Sequence, residues 1–274
     1  MPSSARPRRD MFDEDAELYD RARPTYPPAL VDDLVAWAGI GPQSRILEIG
    51  PGTGQLTVPL ARTGARIVAI ELGADLAAVA RRNLADRPRA EVIVSSFEEW
   101  PLPAEPFDAV VAATAFHWLD PTVRIAKSAA ALRPGGTLAT VTTAHVAGGT
   151  PQFFRDAQEC YRRWDPASYD GPDGPPDPAT VTIDWPEIDR SDYFESPPEF
   201  RQVQRDIHYS THDYLDTLLT YSGHRAMSDE ARERLLSCIR ALIDTRYGGH
   251  VTKRYLHGLR MAHRNNRPLA DGSR

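Results

Sequence analysis

The sequence has almost no cysteine. Only Cys160 and Cys238 occur among 274 residues, too few for a small disulfide-built scaffold. Both lie in segments of helical pattern, and two reduced, partly buried thiols are expected. Long apolar runs are also missing. No stretch approaches the ~18 uninterrupted apolar residues of a membrane span. The opening MPSSARPRRDMFDEDAE carries no apolar segment of a secretory signal, so a cytoplasmic location is expected. There is no basic excess either. Lys and Arg total 32 against 38 Asp and Glu, a net charge of −6, which argues against nucleic-acid and acidic-membrane partners. The eight histidines form no H-x-x-x-H pair beside a carboxylate, so no metal is expected.

Hydrophobic residues make up 41% and charged residues 26%, the balance of a globular protein. Proline is in excess: 24 residues, about 9% against ~5% in ordinary usage. Five of them, Pro166, Pro172, Pro175, Pro176 and Pro178, fall in one segment. No regular element tolerates that density, which predicts an ordered loop or lid there.

Hydrophobic periodicity predicts alternating elements. Strands are expected over 44–50, 65–71, 90–96, 107–115 and 136–144, and helices over 54–64, 74–85 and 121–133. Short apolar strands separated by helices about ten residues long build a parallel sheet with helices on both faces. Before them come a polar, basic arm over 1–10 and helices over 15–23 and 27–38. After residue 146 the alternation fails. A helix is expected over 151–164, a strand over 200–210, a helix over 211–222 capped by Thr211, a helix over 228–249 capped by Ser228, and a last strand over 250–262. The whole is read as one domain: an N-terminal arm and helix (1–26), a core (27–145), a cap or loop insertion (146–198), last strands with a helical insertion (199–263) and a polar tail (264–274).

LEIGPGTGQL, residues 47–56, is the most informative segment. Gly50, Gly52 and Gly54 fall between the first strand and the next helix, where glycine lets the backbone turn sharply and approach a ligand. N–H groups of the following helix would favour a polar or anionic ligand end. The dinucleotide fingerprint G-x-G-x-x-G requires a third glycine where Gln55 stands, and the P-loop pattern is absent. Glu71 ends the second strand, about 20 residues on. A carboxylate there can accept hydrogen bonds from both hydroxyls of a ribose.

LEIGPGTGQL, AIEL, SSFEEWPL, FDAVVAATAFHWLD and LRPGGTLA, in that order, resemble class I S-adenosylmethionine-dependent methyltransferases. Together with YDRARPTYP they are similar to the bacterial small-molecule branch, the type 11 and trans-aconitate methyltransferase-like groups. The resemblance is dense over 12–145 and weaker beyond. It implies an α/β, Rossmann-like, mostly parallel seven-stranded sheet in the order 3-2-1-4-5-7-6, with the last strand antiparallel and a helical or loop cap. It also implies methyl transfer from S-adenosylmethionine to a small-molecule acceptor, with oxygen the first expectation and carbon or nitrogen open. In the family the glycine loop receives the methionine part of the cofactor, which maps to Glu48, Gly50, Pro51, Gly52, Thr53 and Gly54. Glu71 would hold the ribose, with Leu72 beside the adenine. Ser96 and Phe97 stand where the family often has an acid and a small residue on the adenine amino group. Ala113, Thr114 and Ala115 match the wall beside the methionine chain. Tyr19 and Arg23 are candidates for the cofactor carboxylate.

Methyl transfer to a protonated acceptor calls for a base with a pKa near working pH. His117, in FHW, is the leading candidate and His145, at the end of the fifth strand, the second. Packing or a backbone hydrogen bond is the alternative for each. Trp118, Tyr221 and His224 are candidates for the substrate pocket, against a plain structural role. The aromatics Trp164, Tyr169, Trp185, Tyr193 and Phe194 would either contact substrate or anchor a long loop. A monomer or homodimer is expected. Two other functions stay open: an NAD-dependent oxidoreductase of related fold, and a non-catalytic S-adenosylmethionine-binding protein.

Overall fold

The computed structural model describes residues 13, 15–165, 174–182 and 185–266. The basic arm, most of the proline-rich segment with Pro166, Tyr169 and Pro172, and the end of the polar tail lie outside the described residues. Two helices come first, α1 (Ala16–Ala22) and α2 (Pro28–Trp37). Strand and helix then alternate: β1 (Arg45–Ile49), α3 (Thr57–Ala61), β2 (Arg66–Glu71), α4 (Ala74–Asn83), β3 (Ala90–Val94), β4 (Phe107–Ala113), α5 (Arg124–Ala131) and β5 (Leu132–Val146). There follow α6 (Pro151–Asp156), α7 (Gln158–Trp164), α8 (Pro186–Asp189), β6 (Glu199–Ser210), α9 (Thr211–Leu219), α10 (Ser222–Arg225), α11 (Asp229–Arg246) and β7 (His250–His263).

The seven strands form one sheet in the order β3-β2-β1-β4-β5-β7-β6, as the family resemblance implied. The pairs β1·β2, β1·β4, β2·β3 and β4·β5 are parallel. β7 runs antiparallel to β5, since Thr137 meets His263 and Thr143 meets His257. It also runs antiparallel to β6, since Asp206 meets Arg254 and His208 meets Thr252.

The chain divides into two compact units. One contains 24–143, 183–203 and 257–274. Its strands are apolar on both faces, as a helix-covered parallel sheet requires. Ile46, Ile67, Ala69, Ala109 and Val111 belong to one buried cluster. Leu47, Val68, Ile70, Val110 and Ala112, one position along, belong to another. This period of two assigns each residue to its face. The other unit contains 1–23, 144–182 and 204–256. Its core gathers Phe153, Phe154, Tyr209, Tyr214, Leu218, Leu235, Ile239, Ile243 and Tyr255. Among the described residues no helix is long and apolar enough to cross a membrane.

Several local expectations are corrected. The helix over 54–64 shrinks to the five residues of α3, because 52–56 is spent on turns. The helix over 151–164 is two, meeting at Ala157. The cap of α9 is Ser210 and not Thr211: the Ser210 side chain accepts from the Asp213 N–H, while the Thr211 hydroxyl turns to Asp244. Ser228 caps α11 as expected. β5 begins at Leu132, ahead of the expected 136, and its register against β4 shifts between Phe107 and Ala109.

The largest correction concerns the cysteines. Cys160 on α7 and Cys238 on α11 are joined in a disulfide, with Cα atoms 5.8 Å apart. Sequence periodicity placed each on a helix but carried no information on which helices meet. The bond closes a separation of 78 residues, and in the chain-entropy picture such a loop stabilises by about 4.5 kcal/mol. Reduction should lower the thermal midpoint, and non-reducing mass analysis should find two hydrogens fewer than for two thiols. A full complement of thiols in oxidised protein would remove the bond.

Candidate functional site

β1, β2, β3 and β4 all end at the same edge of the sheet, and the strand order reverses between β1 and β4. Crevices outside such strand ends are where open α/β sheets bind ligands. Gly50 follows β1, Glu71 closes β2, Ser96 lies just past β3, and Thr114 and Ala115 follow β4. The first unit therefore gathers the glycine loop, the acid and the β4 wall at one edge.

The loop is held from beneath. Gly50, Gly52 and Gly54 have φ of 65°, 59° and 99°, a region that favours glycine. The Gly50 N–H donates to Ile70 O at 2.9 Å, tying the loop to β2. A Cβ on Gly50 would lie 2.6 Å from the Ala115 Cβ. Glu71, nearly buried, accepts from the Gly52 N–H through Oε2 and from the Gly73 N–H through Oε1, both at 2.9 Å. Its carboxylate is thereby fixed in orientation. Leu72 beside it is exposed. Thr53 is buried; its hydroxyl accepts from the Gln55 side-chain amide at 2.6 Å and its carbonyl from the Asn83 amide at 2.9 Å. Pro51 is buried with them. Because α3 has only five residues, no long helix backs the loop, and the N–H groups of Gly50, Gly52 and Gly54 are given to Ile70 O, Glu71 and Pro51 O.

Glu48 lies fully buried on β1 near Thr57, and among the described residues neither its Oε2 nor the Thr57 hydroxyl reaches full hydrogen-bond geometry. Burial pushes its carboxyl up to about 7, Thr57 pulls it down somewhat, and the Glu71 charge pushes it further up.

The β4 wall carries local strain. Thr114 has φ of 53°, the one positive value outside glycine among the described residues. A β-branched residue there costs about 1–2 kcal/mol. Three bonds hold it. Its N–H donates to Val141 O at 2.7 Å, its hydroxyl donates to Ala113 O at 2.8 Å, and the Tyr26 phenol lies 2.7 Å from the same oxygen. Since the Thr114 proton is committed to Ala113, Tyr26 is the donor. Strained non-glycine residues held by several bonds cluster at functional sites.

Ser96 accepts from the Glu99 N–H at 3.2 Å and so closes the turn after β3. The Phe97 ring is buried in core packing. His117 is exposed, and its ring lies 4.8 Å from that of Trp118. Burial of part of the ring, and then Arg124, lower its pKa and favour the neutral ring. Arg124 also steadies this turn by donating to Phe116 O at 3.1 Å. Trp185 packs edge-on against Phe116, and Phe194 is buried, so these two serve as loop anchors. Among the described residues no cluster of acids, His or Cys is arranged to hold a metal.

Five predicted residues belong to the other unit. The Arg23 guanidinium lies over the Tyr19 and Tyr221 rings, at 5.1 and 4.6 Å. His224 Nε2 meets the Tyr161 hydroxyl at 3.0 Å. His145 packs edge-on against Phe154 at 4.3 Å. Burial and then Lys253 push its pKa down to about 3, which suits packing better than proton abstraction. Sequence reasoning passed over Tyr26, Asn83 and Lys253. Tyr26 lay inside a quoted motif, but its partner Thr114 is 88 residues away. Lys253 alternates with Val251 and Tyr255 on β7, and strand parity was the signal that would have turned it inward.

Two outcomes follow. Gly50→Ala should cost about 1–3 kcal/mol through overpacking against Ala115, read by urea denaturation; a neutral result would remove the clash. For Glu48, the unfolded carboxyl titrates near 4.5 and the folded one at about 7. Between these values the folded protein keeps a proton that the unfolded chain releases, so stability falls as pH rises. Glu48→Gln should therefore exceed wild type by up to about 3 kcal/mol above pH 7 and lose that advantage below about pH 4.5. A gap independent of pH would contradict the buried, raised carboxyl.

A family profile described as a methyltransferase domain matches residues 47–140. An uncharacterized methyltransferase of Mycobacterium bovis is 39% identical over 137 residues, 49% of this chain and 54% of that protein. The chain thus spans about half the length of that relative. An uncharacterized methyltransferase of Geobacillus kaustophilus is 31% identical over 163 residues, 56% of this chain and 70% of that protein. Among solved structures, Haemonchus contortus phosphoethanolamine N-methyltransferase 2, in complex with phosphomonomethylethanolamine and S-adenosylhomocysteine, superposes with a TM-score of 0.52 at 15% identity. The match covers 95% of this chain and 61% of that one, a likeness of fold. Sequence identity that reaches across most of a methyltransferase, on a sheet of the order the resemblance implied, means that this chain belongs to the class I S-adenosylmethionine-dependent methyltransferase family.

Proposed function

We propose that this protein binds S-adenosylmethionine in the unit built on β1 to β4 and transfers its methyl group to a small-molecule acceptor. The observation that carries this reading is the carboxylate of Glu71, locked by Gly52 and Gly73 beside a glycine loop at the switch point of the sheet. The donor set fits the cofactor. A fixed carboxylate suits the paired hydroxyls of a ribose, the exposed Leu72 suits the face of an adenine, and a loop of positive-φ glycines admits a close backbone approach. S-adenosylmethionine supplies, when bound, a methyl group already activated on a sulfonium. The chain's own task is then to orient and to exclude water. Gly50, Pro51, Gly52, Thr53 and Gly54 position one end, and Ser96 and the Phe97 backbone stand toward the other. Thr114 and Ala115 wall the space between. His117, whose lowered pKa favours the neutral ring, is the group proposed to accept a proton, and Trp118 lies against it. The net charge of −6 supports a small molecule over a polyanion as acceptor, and oxygen is the first atom to test.

Calorimetry with S-adenosylhomocysteine tests the reading. Wild type should bind, and Glu71→Ala should lose about 1.5–3 kcal/mol for each charge-assisted hydrogen bond removed, with circular dichroism showing a retained fold. Absence of wild-type binding at millimolar cofactor would overturn it, and tight binding of NADH instead would favour oxidoreduction.

A further inference from the structure

The unit containing 144–182 and 204–256 holds a positive charge where burial should discourage one. Lys253 on β7 is 6% exposed. Among the described residues no carboxylate reaches ion-pair distance of it. Its ammonium donates to the Tyr221 hydroxyl at 3.1 Å and lies 5.1 and 4.9 Å from the Tyr221 and Tyr255 ring centres. Contact with aromatic faces softens a desolvated cation. It does not replace a counter-charge, and an unpaired buried charge is costly.

The groups around the Lys253 ammonium are cationic, neutral or aromatic, with Asp165 the acid that its neighbours feel. From the end of α1, Arg23 brings a second cation over the Tyr221 ring. From β5, His145 is held neutral by burial and by Lys253 itself. On α10, burial pushes His224 down to about 4, Asp165 opposes this, and Lys253 adds to it. Asp165, after α7, is felt by His224 and Tyr161. On β6 and β7, the Tyr209 and Tyr255 hydroxyls meet at 3.1 Å, and burial raises both phenols. Burial alone would also raise the Tyr221 phenol, but Lys253, Arg23 and hydrogen bonds from Tyr255 and Lys253 outweigh it and bring it down to about 8. At neutral pH Tyr221 thus keeps its proton, and the centre keeps its positive charge.

The hydrogen bonds leave donors over. Lys253 uses one of three ammonium protons on Tyr221. Tyr221 accepts there through oxygen, and its own contact with Tyr255 is long, at 3.4 Å. Tyr19, Arg23, His145 and Tyr221 are each only half-buried, so this side of the cluster meets solvent. We propose that Lys253 and Tyr221 form a carboxylate-binding site in this unit, for a small organic acid whose apolar body lies against the tyrosine rings. All of its residues belong to the one unit, and the inference does not rest on the methyl-transfer reading.

Benzoate is a suitable probe, with benzamide as its neutral counterpart, titrated calorimetrically into wild type, Lys253→Met and Tyr221→Phe. The Lys253→Met change replaces a buried charge by a neutral chain of similar shape, a change that buried ionic sites tolerate, and its thermal midpoint checks the fold. Wild type should bind benzoate but not benzamide. Lys253→Met should lose at least about tenfold in affinity, and Tyr221→Phe should lose less but measurably. Benzoate should also move the most acidic tyrosine of wild type to higher pH, read from phenolate absorbance. The inference falls if wild type binds none of benzoate, acetate and citrate, or if Lys253→Met binds benzoate as wild type does. It falls equally if Tyr221→Phe binds more tightly, since ionised Tyr221 would then be the counter-charge. S-adenosylhomocysteine titrated into the same variants separates the two readings. Unchanged affinity is expected, and its loss in Lys253→Met would give Lys253 to the cofactor's own carboxylate and overturn the site.

Discussion

The edge of the sheet that defines this protein depends on one carboxylate. Glu71 receives the N–H of Gly52 from the loop after β1 and the N–H of Gly73 from the turn into α4. The Gly52 donor would otherwise be buried and unmatched, at a cost comparable to a lost hydrogen bond, and the Gly73 donor is partly buried. The same two bonds fix the carboxylate and the loop relative to each other. Structural satisfaction and ligand readiness are thus one interaction, and the glycines matter because only a chain without Cβ can fold back to reach that acid while lying against Ala115.

Around this clamp the site spends stability. Glu48 holds a carboxyl in the interior with one oxygen unmatched, and Thr114 sits in a backbone region that its branched side chain resists. Each is surrounded by well-packed strands whose alternate residues feed two separate cores. That packing offsets the cost and keeps the strained positions in place.

Much of this was legible in the sequence. Every strand was found from periodicity, and the motif order implied the sheet order. The glycine loop and Glu71 were found because a βαβ unit confines them to adjacent strand ends, so spacing alone brings them together. What escaped depended on contacts across long separations. The Tyr26 bond to Thr114 and the joining of Cys160 to Cys238 leave no local trace. The break at Ala157 and the exchange of Ser210 for Thr211 as cap were missed for another reason. Capping and helix continuity turn on a single residue's geometry, which a hydrophobic pattern does not resolve. His117 was the first candidate base and His145 the second, and their surroundings, one exposed and one packed on Phe154, separate them further.

The attachment of α1 has a consequence for the order in which the protein is made. Thr217 donates to Ala22 O and Arg23 donates to Thr220 O, across separations of 195 and 197 residues. A helix of seven residues is too short to persist alone in water, where ~12–15 are marginal. The residues of α1 therefore leave the ribosome nearly 200 residues ahead of α9, the helix that holds them. Strands β1 to β4 lie within residues 45–113 and have their neighbours close behind them. Synthesis thus delivers β1 to β4 as one contiguous block, while the unit that carries Lys253 waits for α9 to reach α1.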